Sequence, residues 1–268
     1  MSVQRLAPNS IIRRMLMSRL LLAAALTVPA AAADLSPTGT LRAVFLATNP
    51  VQGRVDAKTG VVTGPAADLT KELARRLAIP YAIAPVPDAA AVIEAVRTHK
   101  ADIGFLAYEA ARATQVEFSV PYLLMASAYA VRADSAIRTS ADVDRPGITV
   151  GAVTGQSQQV FVSENVRNAR IELMKVAPPN DALAKMLLDR TLDAFAANRG
   201  RQEELVQSTS GIRVLADNFM VVGQAIVVEK GNAMGVAELN RFIADVRRSG
   251  LVKDAIARSG VAGLEVAK

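Results

Sequence analysis

The stretch GQSQ at residues 155–158 follows ITVGAV, which reads as a strand, and opens residues 156–166, which read as a helix. Those side chains are suited to binding rather than to reaction. The first turn of a helix leaves amides without intrahelical acceptors, and such amides attract an anion or polar group. Thr154, Gly155, Gln156 and Ser157 would surround that point, with Thr154 and Ser157 adding hydroxyls. The same residues could instead form a plain N-cap that bonds only locally. Groups for covalent or acid–base chemistry are scarce. Cysteine is absent and His99 is the single histidine, so thiol catalysis is removed, and zinc sites and serine–histidine hydrolysis lack candidates. His99 stands in RTHKAD at the end of a helical pattern, where a solvated position is expected. Glu109 and Glu164 could act as acids on a leaving group. Neither lies in a distinctive catalytic motif, and both read more simply as solvated helix residues. No metal or organic cofactor is implied.

The elements that must position these groups alternate. LRAVFLA (41–47) reads as a strand, and residues 65–80 as a helix with Leu69, Leu73 and Leu77 on one stripe. A strand at 81–86, a helix from AAAVIEAVRTHKA and a strand at 102–107 follow. After Pro146 the pattern recurs: GITVGAV, the 156–166 helix, RIELMKV, a helix at 180–189 and a strand at 192–197. Strands alternating with helices of this length imply crossover connections and a largely parallel, helix-covered sheet. Two apolar runs, 122–132 and 219–230, separate the patterns and are long for one strand each. They are read as hinge strands joining two α/β domains: residues 34–127 with 222–268 form domain 1, and 128–221 form an inserted domain 2. The alternative is that both runs are central strands of one sheet. Val236, Leu239, Phe242, Ile243 and Val246 mark the stripe of a closing helix that returns to domain 1.

The N-terminus carries Arg5, Arg13, Arg14 and Arg19, then LLLAAALTV, Pro29 and four alanines. This is the pattern of a cleaved export signal. Its apolar core is shorter than the roughly 20 residues of a spanning anchor. Cleavage is placed after Ala33, making residues 1–33 the signal and the periplasm the destination. A buried first helix is the alternative. Without those four arginines, 27 Lys/Arg oppose 25 Asp/Glu. Nucleic-acid recognition thereby loses its main support.

TGVVTGPAADLTKELARRL and HKADIGFLAYEAARATQVEFSVPYL give the chain a resemblance to the family 3 extracellular solute-binding proteins, the periplasmic receptors of polar amino acid ABC importers. The matching positions are Gly60, Gly64, Asp68 and Leu69 in the first segment. In the second they are Asp102, Arg112, Phe118, Ser119, Pro121 and Tyr122. The resemblance implies a type II periplasmic binding protein fold, α/β, whose two domains close on a solute. It implies that Arg112 clamps a ligand carboxylate, a role that suits a planar guanidinium. Backbone and hydroxyl groups of residues 154–157 would hold the other side, with Asn49 lining the lip. Asp193 matches the family's structural aspartate. The implied partners are a small carboxylate-bearing molecule and an inner-membrane ABC permease, with the receptor a monomer.

Two positions depart from the family pattern. Asn198 stands where amino acid binders usually keep the aspartate that pairs with the ligand ammonium, and a buried ammonium without that partner is costly. Phe105 and Ala107 occupy places that commonly bond to an amino acid, Phe105 being read as core and Ala107 as part of the pocket wall. The expected ligand is therefore a carboxylate or other anion without a buried free α-ammonium. The fold's relatives include periplasmic dehydratases acting on cyclic carboxylates, and a sensor subunit without transport is a third reading.

Overall fold

The computed structural model describes residues 35–268, so the signal assigned to residues 1–33 lies outside the described residues. The chain begins with β1 (Leu41–Leu46), a small hairpin of β2 (Arg54–Val55) and β3 (Val62–Thr63), and α1 (Pro65–Leu77). Then come β4 (Tyr81–Val86), α2 (Ala89–Arg97), β5 (Ile103–Ala107), the single turn α3 (Ala110–Ala113), β6 (Val116–Phe118) and β7 (Leu123–Arg132). The pattern resumes with β8 (Thr149–Val153), α4 (Ser157–Asn165), β9 (Arg170–Met174), α5 (Asn180–Leu188), β10 (Ala194–Asn198), α6 (Arg199–Ser208) and β11 (Ile212–Val214). It closes with β12 (Met220–Glu229), α7 (Ala233–Arg248), α8 (Leu251–Ser259) and β13 (Leu264–Val266).

Local chemistry sets the helix boundaries. Pro65 occupies the first turn of α1, where its missing N–H has no role. Residues Leu69, Leu73 and Leu77 are buried along one face, as the apolar spacing predicts. The helix ends at Leu77, short of residue 80, because Ala78 turns left-handed at φ 56° and Pro80 follows. α2 opens on Asp88, whose side chain accepts from the Ala91 amide. It ends at Arg97, before His99 takes φ 56°.

Around β1 the strands run β4-β1-β5, all parallel, and β5 pairs antiparallel with Gln224–Val227 of β12. In the second half β10-β8-β9 are parallel, and β10 pairs antiparallel with Ser127–Val131 of β7. β7 and β12 also pair with each other, Leu123–Ser127 against Met220–Gln224. The hydrogen-bonded ladder consequently runs without a break through both halves. Each long strand serves one half with one end and its long neighbour with the other, so the two apolar runs are adjacent central strands of one sheet, as the alternative reading of the sequence had it.

Each half has its own apolar core. In the first, Leu41, Phe45, Leu69, Leu73, Phe242, Ile243 and Val246 pack between sheet and helices on one face. Val92, Val96, Leu106 and Val227 fill the other face under α2. In the second, Tyr129, Val150, Val162 and Ala196 lie on one side of the sheet and Leu183, Leu187, Phe195 and Leu205 on the other. This is a sheet covered by helices on both faces in each half. No described helix is long and apolar enough to cross a membrane.

Candidate ligand-binding site

The parallel strands β1, β5, β8 and β10 all end at the seam between the halves, the place where open α/β sheets present ligand groups. A cavity of about 30 Å³ lies there. The first half lines it with Leu46, Thr48, Asn49, Gln52, Leu106, Ala107, Arg112 and Met125. The second half supplies Gly155, Gln156, Ser157, Gln158, Asn198 and Arg201. The space accommodates about two waters.

Arg112 spans the seam. Its guanidinium donates to the Ala107 carbonyl, which ends β5, and to the Gly155 carbonyl across the cleft, both at 2.9 Å. Burial pushes its pKa below the usual guanidinium value, and nearby Glu109 partly opposes that shift. The facing turn has a definite geometry. Gly155 has φ 79°, a left-handed conformation that glycine adopts without strain. Its amide donates to Gln159 Oε1 and the Gln156 amide to the Val153 carbonyl. Two of the expected donors are therefore consumed locally. Among the described residues the Ser157 and Gln158 amides donate to no protein acceptor, which leaves them free at the first turn of α4.

Asn198 is the last residue of β10 and the N-cap of α6, where its Oδ1 accepts from the Arg201 amide at 2.9 Å. Among the described residues its NH₂ donates to no protein acceptor, and the oxygen keeps a second lone pair. Asn49 behaves alike: its Oδ1 accepts from the Val51 amide, and it is buried in a tight loop after β1. That loop is pinned by Gln52. Gln52 Oε1 accepts from the Leu46 amide and its Nε2 donates to Gln224 Oε1 on β12, while Gln224 Nε2 points at Met125 Sδ. Both glutamines are fully enclosed.

The cavity thus gathers Asn49, Ala107, Arg112, Gly155, Gln156, Ser157 and Asn198. Thr154 is not among its lining. That residue faces a neighbouring cleft bounded by Leu46, Pro87 and Lys175, because its amide is drawn into the β9 edge by the Met174 carbonyl. Phe105 lies in the core, edge-on to Tyr122 with ring centroids 5.9 Å apart. Asp193 accepts from the Thr149 amide and ties β10 to β8. Glu109 and Glu164 do not line the cavity, and Asp217 accepts from the Ser140 amide.

Sequence reasoning missed Gln52, Gln158 and Arg201. Gln158 donates to Ser127 on β7, tying the second wall to a long strand. Arg201 is 9 % exposed, lies over the Phe195 ring at 5.3 Å and donates to the Pro178 carbonyl. Burial lowers its pKa as well, against a smaller opposing effect of Glu204. One signal was available: RGR opens α6 with two arginines and no acid in the first turn, against the preference of a helix N-terminus for negative charge.

The model of the bacterial extracellular solute-binding proteins, family 3, matches residues 41–258. The chain belongs to that family. No curated protein matches it. Three solved structures resemble this family 3 protein over nearly their whole length. The amino acid ABC transporter substrate-binding protein AbpA from Streptococcus pneumoniae, bound to L-arginine, is 18% identical with a TM-score of 0.70, covering 84% of this chain and 96% of its own. The ancestral amino acid-binding protein AncCDT-1, a precursor of cyclohexadienyl dehydratase, is 21% identical with a TM-score of 0.70, covering 84% and 96%. A histidine kinase sensor domain similar to periplasmic binding proteins is 16% identical with a TM-score of 0.71, covering 85% and 98%. The fold of this family 3 protein is accordingly the type II periplasmic binding protein fold, as its sequence motifs implied.

Proposed function

We propose that the protein is the periplasmic receptor of an ABC importer and captures a small carboxylate-bearing solute without a free α-ammonium. In this reading, residues 34–127 with 222–268 form one domain and 128–221 the inserted one, with β7 and β12 as the hinge. Arg112 holds the solute carboxylate from the first domain. Ser157 and Gln158 amides, the Ser157 hydroxyl and the Asn198 NH₂ hold it from the second. Thr154 stands behind this wall. Closure follows from a solute touching both walls, which favours the shut arrangement by the difference in its affinity for the two states. The closed receptor then engages the inner-membrane permease as a monomer.

The observation that carries this reading is the lining itself: two guanidinium groups, several amides and no carboxylate around one interdomain cavity. An ammonium there would meet cations and amide donors. Asn198, whose oxygen already caps α6, offers it one remaining neutral lone pair and no charge to compensate it. The dehydratase reading needs an acid beside the substrate, and Glu109 and Glu164 lie outside the lining. The test is calorimetric titration of the mature protein with matched pairs, each an amino acid and its keto or hydroxy analogue. Preference for the deaminated member is expected. Tighter binding of the free amino acid would overturn the reading.

A further inference from the structure

Arg201 has no place in the family clamp formed by Arg112, yet it lines the same cavity. Its neighbour Arg199 shows what a structural arginine looks like here. Arg199 is bonded to Asn218 and Glu203 side chains and to the carbonyls of Leu215, Ala216 and Asp217. The Arg201 guanidinium makes one hydrogen bond, to the Pro178 carbonyl at 2.5 Å, and has no carboxylate within ion-pair distance among the described residues. The nearest acid influencing it is Glu204, and that carboxylate is paired with Arg54 across the seam. A buried cation without a counter-charge is strongly unfavourable. Its position in the first turn of α6 adds to the cost, because the helix end is itself positive. Stacking on Phe195 holds the guanidinium in place.

We infer that Arg201 is a second anion clamp and that the solute is a dianion, a short dicarboxylate with one carboxylate on Arg112 and the other on Arg201. Arg201 and Thr48 line both the central cavity and an adjoining cleft of about 240 Å³ bounded by Ala47, Pro178, Asn180 and Glu204. A chain anchored at Arg112 can therefore extend past Arg201 toward that cleft. Leu46, Leu106, Ala107 and Met125 supply an apolar surface for the methylenes between its two charges. The two arginines come from opposite walls, so a dianion neutralises both as the walls meet. A monoanion leaves one of them uncompensated.

This inference rests on the carboxylate-receptor reading, and the experiment separates the two. The mature protein is titrated calorimetrically with butyrate and succinate, pentanoate and glutarate, and 2-oxopentanoate and 2-oxoglutarate, beside L-glutamate. Each diacid is expected to bind about 10- to 100-fold more tightly than its monoacid, the range of one added charge-assisted contact. R201Q should erase that ratio, and R201K should restore part of it. R112Q should weaken every member. Circular dichroism and the melting temperature establish that each variant is folded. Equal binding of monoacids and diacids, or a ratio that R201Q leaves intact, overturns the dianion while leaving a carboxylate receptor standing. Preference for L-glutamate over 2-oxoglutarate, or no binding by any deaminated acid, overturns the reading of a solute without an α-ammonium and the dianion together. If R201Q is unfolded, the ratio of the wild type and its recovery in R201K decide.

Discussion

The two walls of the cleft achieve polarity by different means. The first-half wall is braced from behind: Gln52 locks the loop after β1 to Leu46 and to Gln224, and both glutamines lie out of water. The second-half wall uses the N-termini of α4 and α6: Asn198 caps α6 locally, while α4 has no side-chain cap. Bracing by buried side-chain amides makes a wall stiff, because every bond broken there leaves an unsatisfied polar group. Helix ends supply donors with little surrounding structure, so they tolerate exchange of one ligand atom for another. Under the proposed function, the stiff wall would fix the first carboxylate and the other wall would tune what accompanies it.

Substitutions can break or sharpen this contrast. The largest effect is expected from R112A, which removes the cation of the stiff wall and should weaken solute binding by about 2–5 kcal/mol. A calorimetric loss below ~1 kcal/mol with an unchanged melting temperature would make Arg112 an ordinary surface residue. N198D comes next. Aspartate can still cap α6, so the fold should persist, while the loss of a donor and the added negative charge weaken a carboxylate by about 1.5–3 kcal/mol. Unaltered affinity in the same titration would show that Asn198 does not face the solute. Q52L should act on stability: the Leu46 amide and the Gln224 side chain lose their partner, at about 1–3 kcal/mol. Denaturant unfolding measures this, and a destabilisation confined to ligand-bound protein would contradict the bracing role. The smallest effect belongs to R54Q. The Arg54–Glu204 pair links the two halves, but its side chains are 51% and 36% exposed. Such a pair contributes about 0–1 kcal/mol, and its effect on affinity should vanish in high salt. A salt-independent change would mark a role beyond surface pairing.

The contrast also explains what was legible in the sequence. Leu69, Leu73 and Leu77 announce α1 through their spacing, and the Asp102–Arg112–Ser119 segment marks the first wall, since both are local patterns. The Gln52–Gln224 bridge joins residues 172 positions apart in sequence. It exists only once β12 lies beside β5 and the β1 loop folds over them, so neither glutamine carries a local signature. Arg201 was hidden in RGRQEE, which resembles a solvated charged face. Its burial depends on Phe195 and Pro178 arriving from outside α6. Thr154 was placed correctly in sequence beside the turn, but the last bond of β8 to β9 directs it away from the central cavity. Gly200 illustrates the same limit. A Cβ there would come within 2.3 Å of Val261, a close approach between segments that helix propensity cannot report.

The pairing of β7 with β12 has a mechanical consequence. Two independent connectors would let the halves slide, rotate and separate. Here Leu123–Ser127 and Met220–Gln224 are zipped into one ribbon, and β13 adds a third strand alongside Leu123–Met125. Sliding one connector past the other by a single residue would turn its whole set of side chains to the opposite face, so translation along the ribbon is forbidden and flexing of the ribbon remains. The closure proposed above would then be confined to bending and twisting of this ribbon. One pair of spectroscopic labels, on exposed Tyr108 and Val176, would show whether adding a solute brings the two walls together.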